Sequence, residues 1–189
     1  VWCHWKSVLS ETSVGSKRFL VNKVDRHVSG LVAQQQCVGP FHTPIADYSL
    51  LLNSLFGDTG VAGSIGEKHY PIHESCRMVS MCVGEMLTNL LGVVVSDFHD
   101  IKTQANWMWP GKDIHLVRAV DKLSDLMKIL EIGIDGGKDS LSMHHKGIDA
   151  PGSLVLSSYV PVNDIAIRVT PEFKSANNAI YMLDLSYGK

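Results

Sequence analysis

ESCRMVSMCVGEMLTNLLGVV, Glu74 to Val94, organises the rest of the chain around it. Met78, Met81, Cys82, Met86, Leu87, Leu90 and Leu91 recur at spacings of three and four, the period of one helix face. Pro71 to Ser75 supplies a proline and a serine N-cap at the entry, so the spacing predicts a long helix over residues 74–94. Downstream, Ile114 to Leu130 repeats the pattern through Leu116, Val117, Val120, Leu123, Leu126, Met127 and Leu130, with Gly133 as its stop. Leu154 to Val160 reads as a buried strand, Ile165 to Val169 as a half-buried one, and Ala179 to Leu185 as the start of another. Upstream, Gly57 to Gly66 is glycine-rich and turn-like, and Tyr48 to Leu55 is an apolar run. The tract Gly39-Pro40-Phe41-His42-Thr43-Pro44 is a loop with a fixed path, and Phe19-Leu20-Val21 reads as strand. The opening through Ser16 is weakly patterned, as a connecting arm would be. Strands mixed with two long helices make an α/β or α+β domain.

The composition suits such a domain. Hydrophobic residues make up 45% and charged residues 19% of 189 residues, the balance of a globular protein. A formal net charge of −2 offers no field for a nucleic-acid backbone. No run of about 18 apolar residues is present, so no membrane span is expected. Cys3, Cys37, Cys76 and Cys82 form no CxxC pair, and the expectation is reduced thiols in a cytoplasmic protein.

Several residues could carry chemistry. Glu85 and Asn89 lie four apart, one turn apart on one face of the long helix. They are either a solvated polar stripe or oxygen ligands for a hard cation such as Mg²⁺. Asp47 follows Pro44-Ile45-Ala46 and either caps a turn or ligates. Asp97 follows Val93-Val94-Val95, where it is a cap or a carboxylate at a strand's carboxyl edge. Asp135-Gly136-Gly137-Lys138-Asp139-Ser140 fails the Walker pattern, with Ile132 and Asp139 at the deciding positions. It is a simple turn or a backbone cradle for phosphate. His144-His145 has no companion cluster and reads as an exposed turn. Cys37 reads as buried and inert, and Trp107 and Trp109 as core or interface.

Taken together, SKRFLVNKVDR (Ser16 to Arg26), AQQQCVGP (Ala33 to Pro40), HTPIAD (His42 to Asp47), GEMLTN (Gly84 to Asn89), ANWMW (Ala105 to Trp109), GGKDSLSM (Gly136 to Met143) and APGSLVLSSY (Ala150 to Tyr159) carry a resemblance. In this order and spacing the chain resembles the second half of the synthetase region of the phosphoribosylformylglycinamidine synthase family, in its large single-chain, eukaryotic-like form. Residues 70–75 depart from the Leu-Asp-Pro-like stretch usual there.

The resemblance implies an α+β fold, the amino-terminal-like domain of aminoimidazole ribonucleotide synthetase, whose mixed sheet contributes to a central β-barrel with helices outside. It implies a connecting arm over 1–15, this domain over 16–174 and the start of a carboxyl-terminal-like domain over 175–189. It implies that Ala46 contacts nucleotide and that Asp47, Glu85 and Asn89 hold Mg²⁺. By analogy with the shorter form of the enzyme, it implies that Asp97 and the Gly137–Ser140 loop, with Gly137 and Ser140 as contacts, lie near nucleotide or substrate phosphate. The implied cofactors are ATP or ADP and Mg²⁺. The implied activity is the ligase step of purine biosynthesis, from formylglycinamide ribonucleotide, ATP and glutamine to formylglycinamidine ribonucleotide. This segment would act with sister synthetase and glutaminase domains of one longer chain, and would be inactive alone. Two alternatives stay open: a non-enzymatic viral structural relative, or a scaffold that holds nucleotide without turning it over.

Overall fold

The computed structural model describes residues 2–16, 18–21 and 23–184. In chain order the elements are α1 (Trp2–Ser10), α2 (Arg18–Val21), β1 (Val32–Gln34), β2 (Tyr48–Leu52), β3 (Gly60–Tyr70), α3 (Ser75–Asn89), β4 (Lys102–Met108), α4 (Ile114–Leu130), β5 (Gly133–Ser140), β6 (His144–His145), β7 (Ile148–Asp149) and β8 (Gly152–Val162). Six strands form one mixed sheet in the order β1-β2-β3-β8-β4-β5, and β6 and β7 pair as a small hairpin. Every pair in the large sheet is antiparallel except β4 and β5, which α4 connects. A parallel pair needs such a crossover because its strands run the same way.

Helices α3 and α4 pack on each other, and α3 covers β3 and β8. Met78, Val79, Cys82 and Met86 of α3 meet Ala62 of β3 and Leu154, Leu156, Val160 and Val162 of β8 in one core, joined by Ala119, Leu123 and Met127 of α4. Each large apolar side chain buried there contributes about 1.5–3 kcal/mol. The α+β expectation is met: sheet below, helices on one face.

Helix α4 has the predicted limits, with the Asp113 side chain accepting from Leu116 N–H as its N-cap. Its stop is Glu131, in the left-handed region at φ 59°, and Gly133 instead opens β5. Helix α3 is shorter than predicted, because residues 72–74 and 90–92 wind as 3₁₀ turns. Ser75 does not cap it; its hydroxyl donates to His115 O and ties α3 to α4.

Other expectations are corrected. Phe19 to Val21 lies in the short helix α2, and the opening arm carries the helix α1. The turn-like tract 57–66 instead leads into the eleven-residue strand β3. The Gly137–Ser140 tract is not a loop but the second half of β5. Val93 and Arg168 make only one isolated bridge, so neither 93–95 nor 165–169 is a strand, and residues 179–184 have no regular structure. Leu185 lies outside the described residues.

Candidate metal and nucleotide site

Helix α3 is registered along β3 by one stripe of polar groups. The Cys82 thiol donates its one proton to Gly66 O (3.0 Å), with Leu154 O (3.4 Å) as the alternative acceptor. The Ser64 hydroxyl donates to Met86 O (2.7 Å), so the Ser158 hydroxyl, 2.7 Å away, must donate to Ser64. Glu85 Oε2 accepts from Glu67 N–H (2.8 Å), and Asn89 Nδ2 donates to Ile65 O (3.0 Å). Residues 82, 85, 86 and 89 lie on one helical face, so a single docking geometry satisfies all four.

The edge of β3 explains why two side chains bond to backbone here. The β2–β3 ladder runs from Leu52↔Gly60 to Tyr48↔Ser64 and stops. Beyond Ser64, that edge of β3 has no strand beside it. Asn89 and Glu85 take the vacated positions at Ile65 and Glu67, supplying partners that backbone groups require. Asp47 immediately precedes β2, one step beyond the last ladder pair and level with Ile65. Residues 38 and 42 positions beyond Asp47 in sequence therefore reach the same strand edge.

Asp47 and Asn89 line two adjoining clefts, of about 620 and 250 Å³, with Ala46 and Tyr48 also common to both. Ala46 is buried, and its N–H donates to Gln36 O (2.9 Å). Tyr48 is pinned through its hydroxyl at Gln34 Oε1 (2.9 Å) and Val169 O (2.8 Å), which fixes the strand start beside Asp47. Asp47 is exposed, and among the described residues its carboxylate has no hydrogen-bond or ion-pair partner.

Each α3 ligand candidate is tethered by one atom and leaves another. Asn89 must use its NH₂ on Ile65 O, an acceptor, which leaves Oδ1. Glu85 Oε2 takes both Glu67 N–H and Lys68 Nζ (2.8 Å), which leaves Oε1. Burial alone would push the Glu85 carboxyl up, but Lys68 and the Glu67 N–H outweigh it and hold the group below the usual carboxylate range. It is therefore ionised at neutral pH. Two carboxylates and a carboxamide are the hard oxygen donors that Mg²⁺ takes, with water and phosphate filling its shell. The residues fit the ion. Among the described residues no three His, Cys, Asp or Glu side chains gather into a metal cluster, and the set here counts an asparagine.

Gly137 lies elsewhere, in a cleft of about 840 Å³ between α4 and β5 that also holds His99, Trp107 and Lys138. Its glycine identity has a packing reason, since a Cβ there would sit 2.1 Å from Ala105 O on β4. Ser140 ends β5, where its hydroxyl accepts from Lys138 Nζ (3.0 Å). Asp97 is a cap: its Oδ1 accepts from His99 N–H (3.0 Å), which with the His99 ring holds the Asp97 carboxyl below its usual range. Structure thus brings Ala46, Asp47 and Asn89 to two shared clefts, with Glu85 one helical turn from Asn89 along β3, and puts Asp97, Gly137 and Ser140 outside those clefts.

Lys68 is the residue the sequence reading passed over. Ala62, Ser64, Gly66 and Lys68 alternate along β3, a small-residue face that admits a close helix, and that period was the available signal.

A family model described as the FGAR-AT PurM_N-like domain matches residues 16–161. Among curated relatives, phosphoribosylformylglycinamidine synthase of Dictyostelium discoideum is 46% identical over 94% of this chain and 14% of its own length. The Drosophila melanogaster synthase is 48% identical over 88% of this chain and 13% of its own, and the human one 42% over 93% and 14%. The chain thus spans about one seventh of these relatives. Among solved structures, PurLQS of Thermotoga maritima superposes with a TM-score of 0.65 at 15% identity, covering 84% of this chain and 25% of that one. T. maritima PurL complexed with AMPPCP superposes with a TM-score of 0.64 at 15% identity, covering 86% and 27%. At that identity the likeness concerns the fold alone. The family model covers most of the chain and the curated relatives match nearly all of it, so the chain belongs to the FGAR-AT PurM_N-like domain family.

Proposed function

We propose that this chain is the metal- and nucleotide-holding segment of a larger phosphoribosylformylglycinamidine synthase. The observation that carries the reading is the alignment of Asp47, Asn89 and Glu85 along the vacated edge of β3, each with an oxygen left for a cation. Relatives named for that activity match nearly the whole chain, and T. maritima PurL, of the same fold, has been solved with ATP, ADP and FGAR. Asp47, Glu85 and Asn89 would hold Mg²⁺, and Ala46 would back the nucleotide. When bound, the ion neutralises charge on the nucleotide's phosphates. The longer protein would use ATP to activate the amide oxygen of formylglycinamide ribonucleotide and ammonia from glutamine to displace phosphate. The sheet face away from α3 and α4 would supply half of a barrel shared with a sister synthetase domain. A cytoplasmic setting suits Cys3, Cys37, Cys76 and Cys82, which are all free thiols. No helix among the described residues is long and apolar enough to cross a membrane.

The test uses the longer protein. ADP release should require both glutamine and formylglycinamide ribonucleotide, and Asp47→Ala, Glu85→Ala or Asn89→Ala should each weaken Mg–nucleotide binding about tenfold or more. Unchanged binding in all three variants overturns the ligand assignment. Bound nucleotide that never turns over, with no substrate-dependent release, points to a scaffold or a non-enzymatic relative.

A further inference from the structure

Lys68 Nζ lies 2.8 Å from Glu85 Oε2, on the carboxylate that the Glu67 N–H also holds. Both side chains are about one-third exposed, so the pair is neither fully desolvated nor freely solvated. Lys68 comes from the helix-facing side of β3, two residues beyond Gly66, where no bulk separates strand from helix. It is the one cation described on the three candidate ligands.

A monovalent cation already sits on one oxygen of a carboxylate whose other oxygen is offered to a divalent one. Two cations on one carboxylate repel each other at this distance. A bare divalent ion must therefore displace the ammonium or bind against it. An ion arriving with a polyphosphate brings enough negative charge to offset both cations, and the flexible lysine stem lets the ammonium turn to that anion. We infer that Lys68 is a positioning and selectivity residue: it holds Glu85 in place without metal and biases the site toward a divalent cation carrying a polyphosphate over the same cation alone.

This rests on the reading of Asp47, Glu85 and Asn89 as ligands, and the experiment separates the two. The longer protein, freed of nucleotide, is titrated with Mn²⁺ observed by electron paramagnetic resonance, alone and with AMPPCP. Asp47→Ala identifies the portion of Mn²⁺ binding that belongs to this site. In that portion, Lys68→Met should bind Mn²⁺ alone about fivefold more tightly and lose a similar factor for Mn²⁺ with AMPPCP. Lys68→Arg, which keeps the charge, should behave as the unaltered protein; Lys68→Gln replaces Lys68→Met if the latter does not fold. Lys68 variants that leave both affinities unchanged, or weaken Mn²⁺ alone, overturn the inference while leaving the ligands standing. An Asp47→Ala protein that binds Mn²⁺ as before overturns the ligand reading and this inference with it.

Discussion

A Cβ on Gly66 would lie 2.1 Å from Cys82 O and 2.8 Å from Met86 N, both helix backbone. Neither atom can move without shifting α3 from β3, and that shift would also break the bonds at Ser64, Glu85 and Asn89. Gly66→Ala is therefore expected to cost about 3 kcal/mol, the upper range for overpacking, in urea unfolding of the chain. The same variant should weaken nucleotide binding in the longer protein although Gly66 offers no side chain to any ligand. A Gly66→Ala chain as stable as the original would mean that the helix does not rest on this strand. The same glycine shows why part of the site was hard to read. Asp47, Glu85 and Asn89 stood out in the sequence as oxygen donors in suggestive company, but Lys68 sits two residues beyond a tract whose glycines look like turns. Glycine at position 66 serves a close approach within a strand, and β-propensity has no means of registering that.

At the scale of elements, the segments legible in sequence were those whose own pattern decides them. Helix α4 has a 3.6-residue apolar period and an aspartate cap, and β8 is rich in Leu, Val and Tyr; neither needs a neighbour to be recognised. Strands β3 and β5 are the reverse. Their residues adopt extended structure because α3 or β4 lies against them, and local composition argues for turns. Seven of the eight residues of β5 are exposed, so no alternation marks it. The α3–β3 seam also has a chemical signature. Burial pushes the Cys82 thiol up to about 12, so the fold favours its protonated form. That contribution is full below the ordinary thiol value near 9.0, and is lost as pH rises toward 12. Stability of the chain should thus decline between those limits, and Cys82→Ala should flatten the decline relative to the unaltered chain in unfolding measured across that range. Iodoacetamide at pH 8 should modify the exposed Cys76 and spare Cys82, as read by mass spectrometry of the native protein. Equal labelling of both would show that the seam opens readily.

Across the whole molecule, the sheet has one face under helices and one without them. Register places Ala62, Ser64 and Gly66 opposite Val160, Ser158 and Leu156 on the helix side, and sends Val61, Ile65 and Tyr159 the other way. Those three are exposed, Ile65 by 55%. An antiparallel sheet usually shows solvent a polar face, so apolar residues across adjacent central strands mark a surface built to be covered. Burial within the chain cannot account for Ile65; burial against a sister domain would. Ile65→Lys distinguishes the two. In this chain alone the substitution should change unfolding free energy by less than about 0.5 kcal/mol, because the side chain already meets water. In the longer protein it should cost about 3 kcal/mol or more if it places an unpaired ammonium in a domain interface, seen as a lowered melting temperature and faster hydrogen exchange in β3 and β8. A large loss in the isolated chain would mean that Ile65 is packed within it after all. Indifference in both settings would mean that this face stays in water, and the half-barrel reading would fall.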